Sequence, residues 1–457
     1  MKIRNFKWAP FSLLAFAFSG CDDEAEYSIP SVDAPVLLST SPENGSTISQ
    51  GDVTVLLEFD KNIFFATSNT DQIVVSGATL VSADVIGSSS TFTMVINCSS
   101  RNTSVSINIP EGLITGPQEK PAQAISLSFA TPSFSSTPVM ATSTKALTLY
   151  NYLLENYESK VLSGMMANVA WNTEESEQVY QWTGKYPAIN CFDYVHLAAS
   201  VSGANWIDYS DITPVKQWAD NKGVVAAMWH WDVPKKEVVD GAELDPNQDY
   251  AFYMSETEFD ADNATVEGTW ENAVFTQDLE YVASYLKLLQ EADIPVLWRP
   301  FHEAAGGWFW WGKNADSFKA MWIAMFDYFK AEGLNNLIWV WTTEGDDSSW
   351  YPGDEYVDIV GRDLYGNSVE ECVTEYTSIC ASYGNKMIAL SECGYSSDTS
   401  SSIGKISEQW AAGARWSWFM PWYDDASATT SHADQEWWED AMSQDYVITR
   451  DDLQSLW

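Results

Sequence analysis

The chain has 457 residues, 46% of them hydrophobic, 19% charged and 14% aromatic. That hydrophobic share supports sizeable packed cores and excludes wholesale disorder. A formal net charge of −41 makes nucleic acid and anionic membranes poor partners and suits an exported protein acting on a neutral polymer.

Residues 1–20 read as a processing signal. Lys2, Arg4 and Lys7 precede the apolar run Phe11–Phe18, and Ser19-Gly20 stand before Cys21. A cysteine directly after small residues resembles a lipoprotein cleavage site. Cys21 is therefore expected to carry lipid, with an ordinary secretory signal as the alternative. The acidic run Asp22-Asp23-Glu24-Ala25-Glu26 resembles the tag of surface-exposed lipoproteins, and also suits a plain solvated tether. The expected location is the outer membrane, facing outward. No later segment is long and apolar enough to span a bilayer, so the membrane is met only through the lipid anchor.

Residues 21–34 read as an acidic linker. From 35 to 133 the chain is rich in Ser, Thr and Val. Short alternating runs at Val53–Phe59, Ile73–Val75, Thr91–Ile96 and Val105–Ile109 are broken by turn signals such as Pro42-Glu43-Asn44-Gly45. This is the pattern of an all-β sandwich. Its opening, Ser39 to Gly45, and Leu57-Glu58-Phe59-Asp60 resemble bacterial Ig-like modules. No catalytic constellation lies there, so the module reads as a spacer, with weak carbohydrate binding as the alternative.

From 141 to 457 strands alternate with helices. Strands are expected at 160–164, 190–196, 223–229, 294–299, 337–342, 357–363, 387–391 and 416–422. Helices are expected at Gln277–Ala292, Ser317–Glu332 and Val369–Tyr383, the last two stopped by Gly333 and Gly384. Eight such units predict an α/β fold, the (β/α)8 TIM barrel. A doubly wound sheet is the runner-up, but no Gly-rich phosphate turn follows the first strand. The stretch 230–276 reads as a long loop after the third strand. The 23 Trp and 21 Tyr suit both a large core and a cleft that stacks against sugar rings.

Two glutamates stand where apolar strands give way to loop. Glu303 ends Trp298-Arg299-Pro300-Phe301-His302-Glu303, and Glu392 lies in Ile388-Ala389-Leu390-Ser391-Glu392-Cys393-Gly394. Strands four and seven of a barrel would carry them to its catalytic rim. A carboxyl pair across that mouth is what a retaining glycosidase needs. His302-Glu303 superficially suggests a zinc protease, but Gly306 stands where the second histidine belongs, and the chain has only four histidines. No metal or cofactor is expected. His196 and His432 read as structural. Cys98, Cys191, Cys372, Cys380 and Cys393 match no zinc or redox spacing; a Cys372–Cys380 bridge is conceivable, though the odd count argues against a disulfide framework.

Arg299-Pro300-Phe301-His302-Glu303, followed by Gly307-Trp308-Phe309-Trp310-Trp311-Gly312 and supported by Ser391-Glu392-Cys393-Gly394, resembles glycoside hydrolase family 26, the endo-β-mannanases, over roughly 145–440. The resemblance implies Glu303 as acid/base and Glu392 as nucleophile. It places Arg299 and Tyr365 beside Glu392, His230 and His302 on substrate, and Trp308 and Trp422 as aromatic walls around the cleaved sugar. It implies a β-mannan-type polysaccharide as partner. Ala304-Ala305 depart from the larger or polar residues common after the acid/base, which leaves β-1,3-1,4-glucanase and xylanase open. Outside enzymes, a surface glycan-binding lipoprotein is the alternative.

Overall fold

The structure, a computed structural model, describes residues 29–85, 88–168, 171–197, 207–238, 243–424 and 428–456. The signal segment, Cys21 and the acidic run lie outside the described residues.

The N-terminal module is a two-sheet sandwich. One sheet has the order β1 (Leu37–Ser41), β2 (Gly51–Ile63), β5 (Ser89–Cys98), β4 (Thr79–Asp84), and the other β3 (Val74–Ser76), β6 (Ser104–Ile109), β7 (Ile125–Ala130). Alternation builds its core: Val53, Val55, Leu57 and Phe59 of β2 face inward with Phe92, Met94, Ile96 and Cys98 of β5. Asn44 and Gly45 turn the chain, Gly45 with φ +91°.

The second domain is a closed barrel of eight parallel strands. They are β8 (Val161–Met166), β9 (Ile189–Asp193), β10 (Val224–Trp229), β13 (Val296–Pro300), β14 (Leu337–Thr343), β15 (Ile359–Tyr365), β16 (Met387–Gly394) and β17 (Trp418–Pro421). Pairing of β17 with β8 closes the ring. Most strands are buried throughout their length, which is why they read as unbroken apolar runs. The two-residue strand β18 (Val447–Ile448) adds to the foot of β8.

The segment after β10 is more structured than a plain loop. It holds a hairpin of β11 (Val233–Pro234) with β12 (Tyr250–Ala251), and then a helix already begun at Trp270. Thr269 starts that helix early, its hydroxyl accepting from the Asn272 N–H. Helix Ala315–Ala331 is followed by Gly333 at φ +80°, as expected. Gly384 is a correction: its φ is not positive, and helix Val369–Ser382 closes through Tyr383. Its small size instead admits a neighbour, since a Cβ there would come 3.0 Å from the Pro132 ring. The conceivable Cys372–Cys380 bridge is also corrected. Both thiols are free and buried, eight residues apart on one helix, a rise of about 12 Å that no disulfide spans.

Gly384 lies where the module meets the barrel. Arg101, between β5 and β6, lays its guanidinium over Phe134 at 4.6 Å, pairs with Glu158 at 3.0 Å and donates to the Gly384 carbonyl. Glu158 and Gly384 follow the C-terminal ends of barrel helices, which run opposite to the strands. The module therefore docks on the face away from the strand C-termini. Replacing Arg101 with Ala is expected to cost about 2 kcal/mol through lost cation–π and ionic contact. Calorimetry should then resolve two unfolding transitions. One unshifted transition in that variant would show that Arg101 does not couple the domains.

Candidate active site

Strand ends deliver the acids. β16 carries Glu392 to the rim, and β15 runs beside it with a register shift after Arg362 that sets Asp363 opposite Glu392. β13 ends at Pro300, and the chain turns sharply through Phe301 and Glu303, both at positive φ, 50° and 51°. These left-handed conformations are costly outside glycine and swing Glu303 over the barrel mouth.

The result is a cluster of Glu303, Asp363 and Glu392, in which one oxygen of each lies within 4.8 Å of the others. Oxygens that close agree with the short carboxyl separation, roughly 5–5.5 Å, of double displacement. This is the one acid cluster among the described residues tight enough to hold a cation. The positive charge present is Arg299, buried beneath it. Arg299 donates to Glu392 and, at 3.0 Å, to Asp363, with a further contact to Thr342 at 3.1 Å. Tyr365 donates to the other Glu392 oxygen at 2.7 Å, and Ser391 to Asp363 at 2.7 Å. Glu392 is thus held as an oriented carboxylate by a cation and a phenol.

Glu303 has the opposite surround. The Trp308 indole N–H donates to it at 3.1 Å, and the carboxyl of Asp363 lies close by. Burial is the chief cause that pushes its carboxyl from 4.5 up to about 9; Asp363 and Glu344 add to this and Arg299 opposes it. Trp308 lies flat over Gly306, where a Cβ would strike the ring at 2.1 Å, and is 40% exposed. That glycine is what lets the ring reach Glu303.

On the other side of the mouth stands His230. Its Nδ1 meets Asp193 at 2.6 Å, and its backbone N–H donates to the same carboxylate at 3.1 Å. Asp193, from the end of β9, thereby fixes the tautomer and leaves Nε2 as the free ring nitrogen. His302 packs edge-on against His230 at 4.4 Å and is only 1% exposed, among Phe309 and Trp311. Burial drives its pKa well below the ordinary histidine value, so the ring is neutral. The Trp422 ring stands 5.8 Å from His230. Its backbone N–H donates to the Cys393 carbonyl at 2.9 Å, which ties the tryptophan to the strand that carries Glu392.

All the rim residues expected from sequence (Arg299, His302, Glu303, Trp308, His230, Tyr365, Glu392 and Trp422) thus gather at one end of the barrel. Four other side chains stand at this end of the barrel that the sequence did not single out as site residues. Asp363 and Asp193 are strand-end acids, a signal read only at the glutamates. Tyr253, 43% exposed, stacks on Phe309 from the segment read as loop. His432, read as structural, lies 5.9 Å from the Tyr365 ring, with its Nδ1 on Asp424 at 2.9 Å.

A closed parallel barrel with this carboxyl cluster at its C-terminal rim is the architecture of barrel glycoside hydrolases. The comparisons with known proteins give the family. A family model described as glycosyl hydrolase family 26 matches residues 138–452, and one described as a bacterial Ig-like domain matches 31–131. The chain belongs to glycosyl hydrolase family 26. Mannan endo-1,4-β-mannosidase B of Piromyces sp. is 32% identical over 318 residues, 67% of this chain and 52% of that protein. A mannan endo-1,4-β-mannosidase of Thermothelomyces thermophilus is 33% identical, over 68% of this chain and 61% of that protein. The chain thus spans about half to three-fifths of these curated relatives. Among solved structures, the family 26 domain of an endo-β-mannanase/endo-β-glucanase from Prevotella bryantii is 43% identical. It covers 70% of this chain and 100% of that one, with a TM-score of 0.66. A β-mannanase from a symbiotic protist of the termite Reticulitermes speratus, complexed with a gluco-manno-oligosaccharide, is 35% identical over 70% of this chain and 98% of that one, at TM-score 0.58.

Proposed function

We propose that the chain is a retaining endo-β-1,4-mannanase that cuts mannan, galactomannan or glucomannan by double displacement. The observation that carries this reading is the carboxyl pair with opposite surrounds: Glu392 against the Arg299 guanidinium and the Tyr365 hydroxyl, Glu303 buried with its pKa raised. In the first step Glu392 attacks the anomeric carbon while Glu303 gives its proton to the departing glycosidic oxygen. In the second, Glu303, now a carboxylate, takes a proton from water as that water displaces Glu392. Each step inverts, so the configuration is retained. Loss of the Glu392 charge in the intermediate lowers the proton affinity of Glu303 between the two steps.

His230, oriented by Asp193, reads a sugar hydroxyl through Nε2, and His302 braces it from below. Trp308 and Trp422 flank the cleaved sugar. The names of the four relatives support mannan as substrate; the name of the Prevotella protein also carries endo-β-glucanase, which keeps a glucan-cutting reading in play. Cys21 would tether the enzyme by lipid to the outer membrane, facing outward. Reducing-end release measured in parallel on galactomannan, glucomannan, lichenan and xylan is the test. The expected result is the highest kcat/KM on the two mannans. A higher value on lichenan or xylan would overturn the mannan assignment, and inertness on every polymer would favour a binding protein.

A further inference from the structure

Tyr365 reaches Glu392 with the far end of a rigid ring, its hydroxyl donating at 2.7 Å. The backbone behind the ring is pinned, because the Gly366 N–H donates to the Gly394 carbonyl at 2.8 Å. The ring itself is a lever. A small rotation about its Cα–Cβ bond carries the hydroxyl out of hydrogen-bond range. Arg299, the other partner of Glu392, is braced by Thr342 and Asp363. The phenol needs a brace of its own.

The strand register supplies the place for one. Gly394 on β16 stands directly opposite Tyr365 on β15, where a side chain would lie against the tyrosine on the same face of the sheet. Glycine leaves that place open, and His432, from the segment after β17, fills it. A Cβ on Gly394 would come 2.6 Å from His432 Cδ2 and 2.7 Å from its Cβ. The imidazole stands edge-to-face with the Tyr365 ring, centroids 5.9 Å apart and planes at 78°. Among the described residues it is the one aromatic side chain in such contact with Tyr365. His432 is fixed in turn. Its backbone N–H donates to Asp424 at 2.8 Å, and its Nδ1 meets the same carboxylate oxygen at 2.9 Å.

We propose that His432 is a positioning residue: clamped by Asp424 and seated on Gly394, it holds the Tyr365 phenol against Glu392. The inference rests on the reading of Glu392 as nucleophile.

Steady-state kinetics on galactomannan test it. In His432→Ala protein kcat is expected to fall about tenfold or more, the scale of a misplaced contact at the reacting centre, with KM within about twofold of wild type. His432→Phe keeps a ring on Tyr365 and should recover most of that loss. The sharper measurement is a double-mutant cycle with Tyr365→Phe, which removes the hydroxyl that His432 holds. In that background His432→Ala should cost less than about twofold more. Gly394→Ala reaches the same brace from the strand. The φ of Gly394 is not positive, so the backbone accepts alanine, while the added methyl displaces the imidazole. It should lower kcat as His432→Ala does, and do little in protein that already carries His432→Ala. This variant carries the test if His432→Ala protein does not fold. A loss that persists in full in the Tyr365→Phe background overturns the proposal. So does a rise in KM with kcat unchanged, which would mean that His432 meets the sugar itself. Failure of the nucleophile reading is distinct: it would show as Glu392→Ala protein with turnover intact.

Discussion

Glu392→Ala protein is expected to lose turnover of mannan by on the order of 10⁴-fold or more, and to regain it with azide as an inverting enzyme. The carboxylate is held among a cation, a phenol and a strand backbone, so alanine leaves a hole of carboxylate size beneath the anomeric carbon. Azide entering that hole attacks from the same side while Glu303 still protonates the leaving group, and the product is an α-mannosyl azide. Glu303→Ala should give the opposite product. With an aryl β-mannotrioside, whose leaving group departs unaided, the glycosyl-enzyme still forms on Glu392. Azide then needs no general base to displace it, and a β-mannosyl azide results. NMR of the anomeric centre reads the two outcomes. A β-azide from Glu392→Ala would exchange the roles assigned to the two glutamates. Arg299 and Asp363 remain paired in the alanine variant, so the fold should persist.

The barrel was legible because its strands are buried on both faces. Unbroken apolar runs such as Leu337 to Val340 and Met387 to Leu390 cannot be mistaken for half-exposed strands. The glutamates were legible because a charge at the end of such a run must sit where the barrel opens. Asp363 ends the expected strand 357–363 and carried the same signal, but its place opposite Glu392 depends on a register shift between neighbouring strands, which no local pattern encodes. Asp193 was hidden likewise: its role exists only through the neighbouring strand that brings His230 to it. The helix begun at Trp270 escaped because acids and glycine before it looked like loop, while the decisive signal was a single capping hydroxyl, Thr269. Arg101 carried no signal in the sequence, because its partners Phe134, Glu158 and Gly384 lie 33 to 283 residues further along the chain and reach it only in the folded protein.

Glu303→Gln protein is expected to be more stable than wild type at alkaline pH, although it loses about 10²–10⁴-fold in activity on substrates with poor leaving groups. Burial holds the Glu303 carboxyl at about 9 in the folded protein, against 4.5 for an ordinary glutamate. Between those values the unfolded chain has released the proton and the folded chain keeps it, so the unfolded state binds fewer protons. Stability therefore falls as pH rises from 4.5 towards 9 and falls no further, on this account, above 9. Glutamine has nearly the same shape and no proton to lose. The advantage of the variant should be smallest at about pH 4 and grow to a few kcal/mol, roughly, by pH 9. Thermal unfolding of both proteins across that range measures it. A difference in Tm that does not change with pH would show that Glu303 is not held protonated. The same proton sets the alkaline limb of kcat/KM in wild type. Because Asp363 and Glu344 raise the carboxyl and Arg299 lowers it, that limb belongs to the whole cluster rather than to one residue. Asp363→Asn removes one of the raising charges but also a partner of Arg299, freeing the guanidinium to act on Glu303. Both changes move the limb to lower pH, which ties the acid on β15 to the proton on Glu303.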